Sequence, residues 1–578
     1  MKSRWLPPAA LIALVAATTT MDSTGHLVVG ALLLAFLVFW LIRRQTKTGI
    51  GLGVGPRLWV GLAVLGVASG ALASTSQQVL EPLEAQVDRY LQPYVRTGNF
   101  SGSLLVARRG EVLYAKAFGH SAVDGKLPNT TRSVFHLASV SAVFTSAAIM
   151  LLEQQGELEL DARLSEFLPD WPRGDEITIH HLLTQSAGFP NINTLLGYQL
   201  WQRTPQTPET LVKKFRDLPL EYAPGTRYEH SNSNYNVLAL LIEQVSGLDY
   251  GEFLEQKIFR PLAMEQTAHH GDATQAYDQH ATGLRPIGLA GLEEDSQIDW
   301  SVKTGNGSIH STVEDLFLFD RAIDERSLLG EEAVRKIFTE HFPRVGYGWF
   351  VGERFESREF HMNGRSPGFG SYWGRSEDGE VTVILLANIY SSVTTPIGRD
   401  LIAMVLGEEY AETEITTARP DAELLQEIAG AYKFGPDFYR PNGTVSFNVQ
   451  DGHLFSRGVW MMPAGGSRFV HRVYWSDLEF MRDDAGAINA LQFDQYRGRR
   501  ISGLASAIYS PLARWGLLGG AFAVSFLVAV RWWRRRRARG RSCAADPVGP
   551  TLGTSEGGAP PSVRPAGAAR NRDSDLGR

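Results

Sequence analysis

With 578 residues, 44% hydrophobic and 20% charged, the chain has material for two soluble domains and several apolar spans besides. A formal net charge of −6 gives no reason to expect a nucleic-acid partner. A single cysteine, Cys543, excludes an internal disulfide and any cysteine-clustered metal site.

Three apolar stretches open the chain, Leu6 to Ala17, Leu27 to Ile42 and Leu58 to Ala73. The first is short for a span, which needs about 20 apolar residues, and with Lys2 and Arg4 ahead of it also fits a signal peptide. The other two read as transmembrane helices, giving an N-terminal membrane region over 1–76. Arg43, Arg44, Lys47 and Arg57 lie between them, and seven arginines crowd Arg531 to Arg541 behind a fourth apolar stretch, Leu512 to Val530, read as a transmembrane helix over 510–531. Because basic loops stay on the cytoplasmic side, both clusters are expected there. The region from about Ser74 to Ser510 is then expected outside the cytoplasmic membrane of a bacterial cell, periplasmic or extracellular. Trp532 and Trp533 suit an interfacial belt. The last segment, 532–578, is basic and poor in large apolar residues, and reads as a disordered cytoplasmic tail.

The outer region starts with a helical spacing over Val79 to Leu91, followed by two strands from Gly102 to Gly119 joined at Arg109-Gly110. A helix is predicted from Ser139 to Gln155, then mixed loops and helices to about Ala322. Strands follow near Gly346 to Val351, Glu359 to Gly364 and Val381 to Asn388. This is the pattern of a helical subdomain set into an antiparallel sheet, with a domain over 77–412. Beyond about Arg419, short alternating strands such as Thr444 to Val449 and Ile488 to Phe493, with turns at Asp451-Gly452 and a second glycine turn, predict a small β-barrel or sandwich over 420–505.

Four blocks carry a family resemblance. Phe135-His-Leu-Ala-Ser139-Val-Ser141-Ala142 holds a serine and, three positions on, the place one helical turn away on the same face. Ile177-Thr-Ile-His-His-Leu-Leu-Thr184-Gln-Ser-Ala-Gly188 follows it, then Pro224-Gly-Thr-Arg-Tyr228-Glu-His230-Ser231-Asn232 and Gly307-Ser-Ile-His-Ser311-Thr312-Val-Glu-Asp315-Leu. Together these resemble the serine β-lactamase and penicillin-binding-protein superfamily, of the class C type, over more than three hundred residues. The resemblance implies an α+β fold of the β-lactamase and transpeptidase type, and a lipocalin-like module for the C-terminal β region.

The resemblance also marks what has changed. Where the family has Ser-x-x-Lys, the lysine position is Ala142. His230 stands at the tyrosine of the Tyr-x-Asn motif, with Asn232 kept. Counting back from Pro367-Gly368-Phe369 puts the third motif, Lys-Thr-Gly or His-x-Gly, at Met362-Asn363-Gly364. His361 is one residue early and on a strand points to the other face. A literal Lys303-Thr304-Gly305 precedes the Gly307 block and reads as a chance match in a different part of the fold.

What the resemblance leaves for chemistry is Ser139 as nucleophile, Asn232 and Ser141 as polar contacts, and an oxyanion hole from the Ser139 and Arg365 backbone amides beside Gly364. A serine hydroxyl is a weak nucleophile without an adjacent base. With Ala142 and Met362 replacing the expected amines, the first expectation is a pseudoenzyme or binding protein for small, peptide-, amide- or ester-like ligands, with a protein partner open. The alternative is a serine hydrolase or acyl transferase, of esterase or D-peptidase type, with His230 as base. No cofactor or metal is expected: His180, His181, His269, His270 and His310 lack ligand spacing with carboxylates, and Glu153 and Asp315 read as structural helix residues.

Overall fold

The computed structural model describes residues 82–269, 279–377, 379–410, 419–439 and 442–501. The predicted membrane segments and the basic tail lie outside these residues. Among the described residues no helix is long and apolar enough to cross a membrane.

The described chain forms two compact units. In the first, helix α1 (Leu83–Arg96) leads into a hairpin of β1 (Gly102–Arg108) and β2 (Glu111–Phe118). The turn between them is Arg109-Gly110, both at positive φ. Farther along come β3 (Phe135–His136), α2 (Ala142–Gln154), α3 (Asn232–Ser246), β4 (Ala268–His269), β5 (Ile309–Ser311) and α4 (Val313–Glu325). The unit closes with β6 (Phe350–Arg354), β7 (Ser357–Ser366), β8 (Phe369–Ser376), β9 (Val381–Ala387) and α5 (Thr394–Leu406). The main sheet has the order β2-β1-β9-β8-β7-β6, all antiparallel, and a small sheet has the order β3-β5-β4.

Side-chain alternation explains why both faces of the main sheet are covered. Leu104, Val106, Tyr372, Val383 and Leu385 join α1 and α5 residues such as Leu91, Ile397 and Leu401 in one core. Their strand neighbours Leu105, Ala107, Trp373, Ile384 and Leu386 join the helical region, including Phe144 and Leu238, in the other. Helix α2 is apolar nearly all round and buried from Ala142 to Leu152, as a central helix must be. Fully burying each large apolar side chain contributes about 1.5–3 kcal/mol, so this helix is fixed by packing.

Toward the C-terminus of the described chain, eight strands close into a barrel. Its strands are β10 (Gly430–Lys433), β11 (Thr444–Gln450), β12 (His453–Ser456), β13 (Val459–Pro463), β14 (Arg468–His471), β15 (Asp477–Arg482), β16 (Ile488–Phe493) and β17 (Tyr496–Ile501), with β17 pairing back onto β10. Closure leaves no edge strand exposed.

Candidate functional site

Ser139 sits in a 3₁₀ turn, Ala138–Ser141, at the head of α2 and is half-buried. Strand β3 delivers it: Phe135 and His136 pair with Ser311 and His310 of β5, and Leu137 N–H donates to Ile309 O at 2.9 Å. The next residue, Ala138, has φ of 48°. A non-glycine residue there costs on the order of 1–3 kcal/mol and is held by its surroundings. Here the neighbours that hold it are visible, since Ser371 Oγ of β8 donates to Leu137 O at 2.6 Å.

Strand β7 runs hard against this turn, and glycine at 364 is what lets it. A Cβ on Gly364 would lie 2.4 Å from Leu137 O, 2.5 Å from Ser371 Oγ and 2.8 Å from Ser139 N. The Ser139 amide is therefore beside β7 at Gly364, next to Arg365, as an oxyanion hole built from the two backbone N–H groups requires. The Arg365 side chain leaves the turn and is exposed. Its guanidinium lies 5.1 Å from the Tyr390 ring centre and donates to Ser392 Oγ at 2.5 Å.

Strand alternation puts Met362 and His361 on opposite faces of β7. Met362 is buried in the core on the helical side, while His361 points to the other face and stacks on Tyr372, with ring centres 6.0 Å apart. Burial brings the His361 pKa down to about 4, so it is a neutral core imidazole. Ala142 offers only a buried methyl group where an amine would be needed.

Asn232 is the first residue of α3 and is buried. His230, two residues earlier, reaches solvent, yet protein atoms crowd it and the partial desolvation holds its imidazole below the ordinary range. Among the described residues the Ser139 hydroxyl, the His230 ring and the Asn232 amide make no hydrogen bond, so no preformed Ser-His contact exists. Ser141 departs from the sequence expectation of a pocket contact. It is fully buried, and its Oγ accepts from Ile309 N–H at 3.1 Å, so it braces the turn against β5. Asp315 likewise is structural, accepting from Thr267 Oγ1 and Gln266 N–H at 2.8 Å each.

Sequence reasoning set Lys303 aside, and the fold brings its loop to the site. Gly305 O accepts from Thr145 of α2 at 2.6 Å, and Thr304 O from Asn236 of α3 at 2.7 Å, one helical turn beyond Asn232. A Cβ on Gly307 would stand 3.3 Å from Lys303 Cβ and 3.5 Å from the Ala138 carbonyl carbon, so Lys303 flanks the Ser139 turn. It is not on β7 and does not substitute for the third motif. The loop after Gly188 ties both sides together: Asn191 Nδ2 donates to His230 O at 3.4 Å, and Asn193 Oδ1 accepts from Lys303 Nζ at 3.4 Å.

No three of the described His, Cys, Asp and Glu residues could hold a metal ion together.

A serine at the head of a buried helix, with its amide against a glycine of an antiparallel sheet, defines a serine-hydrolase-like fold. The Beta-lactamase family model matches residues 87–470, and the chain belongs to that family. Among curated proteins, the chain is 27% identical over 320 residues to a putative penicillin-binding protein, PbpX, of Bacillus subtilis (strain 168), covering 55% of this chain and 78% of that one. Among solved structures it resembles the octameric penicillin-binding protein homologue from Pyrococcus abyssi, with TM-score 0.51, 24% identity, and coverage of 73% of this chain and 100% of that one. It also resembles the D-amino acid amidase from Ochrobactrum anthropi SV3, with TM-score 0.50, 22% identity, and coverage of 56% and 97%. At these identities the structural likenesses show the fold.

Proposed function

We propose that this protein is anchored in the bacterial cell membrane with both units facing outward, and that its pocket binds small amide-, ester- or peptide-like ligands without forming and turning over an acyl-enzyme. The carrying observation is the buried Ala142 methyl at the family's amine position beside a Ser139 hydroxyl that has no hydrogen-bond partner among the described residues. Losing the activating base of such a unit typically costs about 10⁴–10⁶ in rate. The backbone donors beside Gly364 persist, which supports a pocket that still polarises and holds a carbonyl. Anchoring rests on the apolar stretches and arginine clusters of the sequence. A protein partner in the membrane is compatible with the same reading.

The test is intact-mass analysis of the full-length chain after exposure to a fluorophosphonate and to a penicillin, with Ser139→Ala as control. The expected result is no Ser139-dependent mass shift in a folded protein. A stoichiometric shift that Ser139→Ala removes would overturn the reading.

One observation favours a second reading, in which the chain is a serine hydrolase of esterase or D-peptidase type. The His230 ring is uncommitted, and its lowered pKa leaves it neutral at pH 7, the form a general base needs. On that reading Ser139 adducts form, His230→Phe abolishes them, and their rate in the parent rises with pH through a midpoint below 6.5. Adducts that survive His230→Phe with an unchanged pH profile would eliminate His230 as the base.

A further inference from the structure

Away from Ser139, one end of the main sheet carries a cleft of about 550 Å³, within the size range of sites that hold small ligands. Six arginines from separate parts of the chain line it: Arg109 of the β1–β2 turn, Arg321 of α4, Arg326 just past α4, Arg335 of the helix Glu331–Phe338, Arg358 of β7 and Arg375 of β8. The same lining holds three carboxylates, Asp324, Glu331 and Glu377, so guanidinium groups outnumber them two to one. Each carboxylate is already engaged from within the lining: Asp324 by Arg321 and Arg375, Glu331 by Arg326, and Glu377 by Arg358. Arg335 and Arg109 reach outside it, to Glu332 and Glu380, with their side chains 60% and 73% exposed. Ion pairs so exposed contribute little and rearrange readily, which leaves both guanidiniums available to an incoming anion. Arg358 stands six residues before Gly364 on β7, about 20 Å along the strand, so the cleft is separate from the Ser139 turn.

A second observation points to an acceptor from outside the chain. Arg375 is 2% exposed, and although its Nη2 donates to Asp324, its Nε and Nη1 have no hydrogen-bond partner among the described residues. Buried donors are nearly always paired in folded proteins, so an orphaned guanidinium edge on a cleft wall marks a set that a bound oxyanion would complete. The wall around it is rigid. Phe338 and Phe360 stack with ring centres 4.2 Å apart, the Arg375 guanidinium lies 5.4 Å from the Phe338 centre, and that of Arg358 lies 5.2 Å from the Phe360 centre. This platform holds two guanidiniums in place before any ligand arrives, which lowers the ordering cost of binding. Every cation of the lining is an arginine. A guanidinium presents paired N–H groups that match phosphate oxygens, and several of them around one cleft suit a group with more oxygens than a single carboxylate has.

We propose that this cleft binds a phosphate-bearing ligand, with Arg375 and Arg358 as the fixed donors and Arg109 and Arg335 closing on the phosphate from the exposed side. A soluble phosphorylated molecule and the headgroup of an anionic phospholipid share this chemistry, and the experiment tells them apart. The site is independent of the Ser139 pocket and stands whether or not that pocket turns over an acyl-enzyme.

Isothermal titration calorimetry of the full-length chain in a neutral detergent measures the binding of three probes. They are sodium pyrophosphate, glycerophosphoglycerol, which is the deacylated headgroup of phosphatidylglycerol, and citrate, a multivalent carboxylate. The titrations are repeated on a chain carrying Arg109→Gln and Arg335→Gln, whose exposed side chains can be replaced without opening the core. The parent is expected to bind at least one phosphate compound, and the double variant to bind it roughly 10- to 100-fold more weakly, as loss of a charge-assisted hydrogen bond predicts. Tighter binding of pyrophosphate identifies a soluble phosphorylated ligand, and equal or tighter binding of glycerophosphoglycerol identifies a phospholipid headgroup; either supports the cleft. No binding of either phosphate compound at millimolar concentration overturns the proposal, and so does an affinity that the double variant leaves unchanged. Citrate bound as tightly as the phosphate compounds overturns the assignment to phosphate. If the double variant has a lowered thermal midpoint, Arg335→Gln alone decides the case by the same loss of affinity.

Discussion

Gly364→Ala should weaken ligand binding at the Ser139 pocket by roughly 10- to 100-fold and destabilise the first unit by about 1–3 kcal/mol, the range for forced overpacking at a buried position. The added methyl group meets Leu137 O at 2.4 Å and Ser139 N at 2.8 Å, and both are backbone atoms that no rotamer change can move. The third neighbour, Ser371 Oγ at 2.5 Å, is already committed to Leu137 O. Strand β7 must therefore back away from the Ser139 turn, and the Ser139 and Arg365 amides, proposed above to hold a carbonyl, separate. Each such donor contributes about 0.5–1.5 kcal/mol to holding a carbonyl, and the ligand loses both together. Thermal unfolding and the affinity of benzylpenicillin for the Ser139→Ala, Gly364→Ala chain check the two halves of this expectation. Unchanged affinity would show that ligands are not held at β7.

Much of this site could be read in the sequence because it depends on register and periodicity. Strand alternation alone separates Met362 from His361, and the structure places them on opposite faces. The serine and Ala142 are likewise fixed by their place at the head of an apolar helix. The hairpin, the long antiparallel sheet and the C-terminal β region follow from local patterns that tertiary contacts do not reverse.

Other features were hidden because they are products of assembly. The positive φ of Ala138 has no sequence signal, since alanine is no glycine substitute and only the clamp on Leu137 O sustains it. Ser141 reads as a pocket hydroxyl until β5 arrives to use it, and the strand comes from 168 residues away. Lys303 is the clearest case. Nothing local marks it as buried, because lysine usually keeps its charge in water, and its burial is created by Asn193 and Tyr198 from a segment over a hundred residues earlier. The available signal was its place in sequence, two residues before Gly305 and four before the Gly307 block, whose loop packs beside the Ser139 turn.

The largest loss of stability should come from Asp320→Leu, far along β8 from the chemistry. Asp320 is 1% exposed on α4 and accepts from Thr382 Oγ1 at 2.6 Å and from Trp373 Nε1 at 3.2 Å. Arg375, itself 2% exposed, lies 3.5 Å from it through Nε, close enough for charge attraction and too long for a strong hydrogen bond. Removing the carboxylate orphans two buried donors and strips Arg375 of one of its two acidic neighbours, the other being Asp324. The expected cost is about 3–5 kcal/mol, as for breaking a buried pair from one side. Burial pushes the Asp320 pKa up, opposed by the Arg375 guanidinium, so the charge is the expensive part of this side chain and its acceptor capacity the useful part. Asp320→Asn keeps an acceptor for Thr382 and Trp373 and should therefore cost only about 1–2 kcal/mol. Denaturant unfolding of the two variants measures the difference, and equal losses would mean that the charge, not the hydrogen bonds, holds α4 to the sheet. Because Trp373 and Ser371 are separate residues of β8, with only Ser371 touching Leu137 O, the fraction that stays folded in either variant should bind ligand as the parent does. A folded Asp320→Leu protein with an impaired pocket would show that strand β8 transmits strain from its α4 anchor to the nucleophile turn.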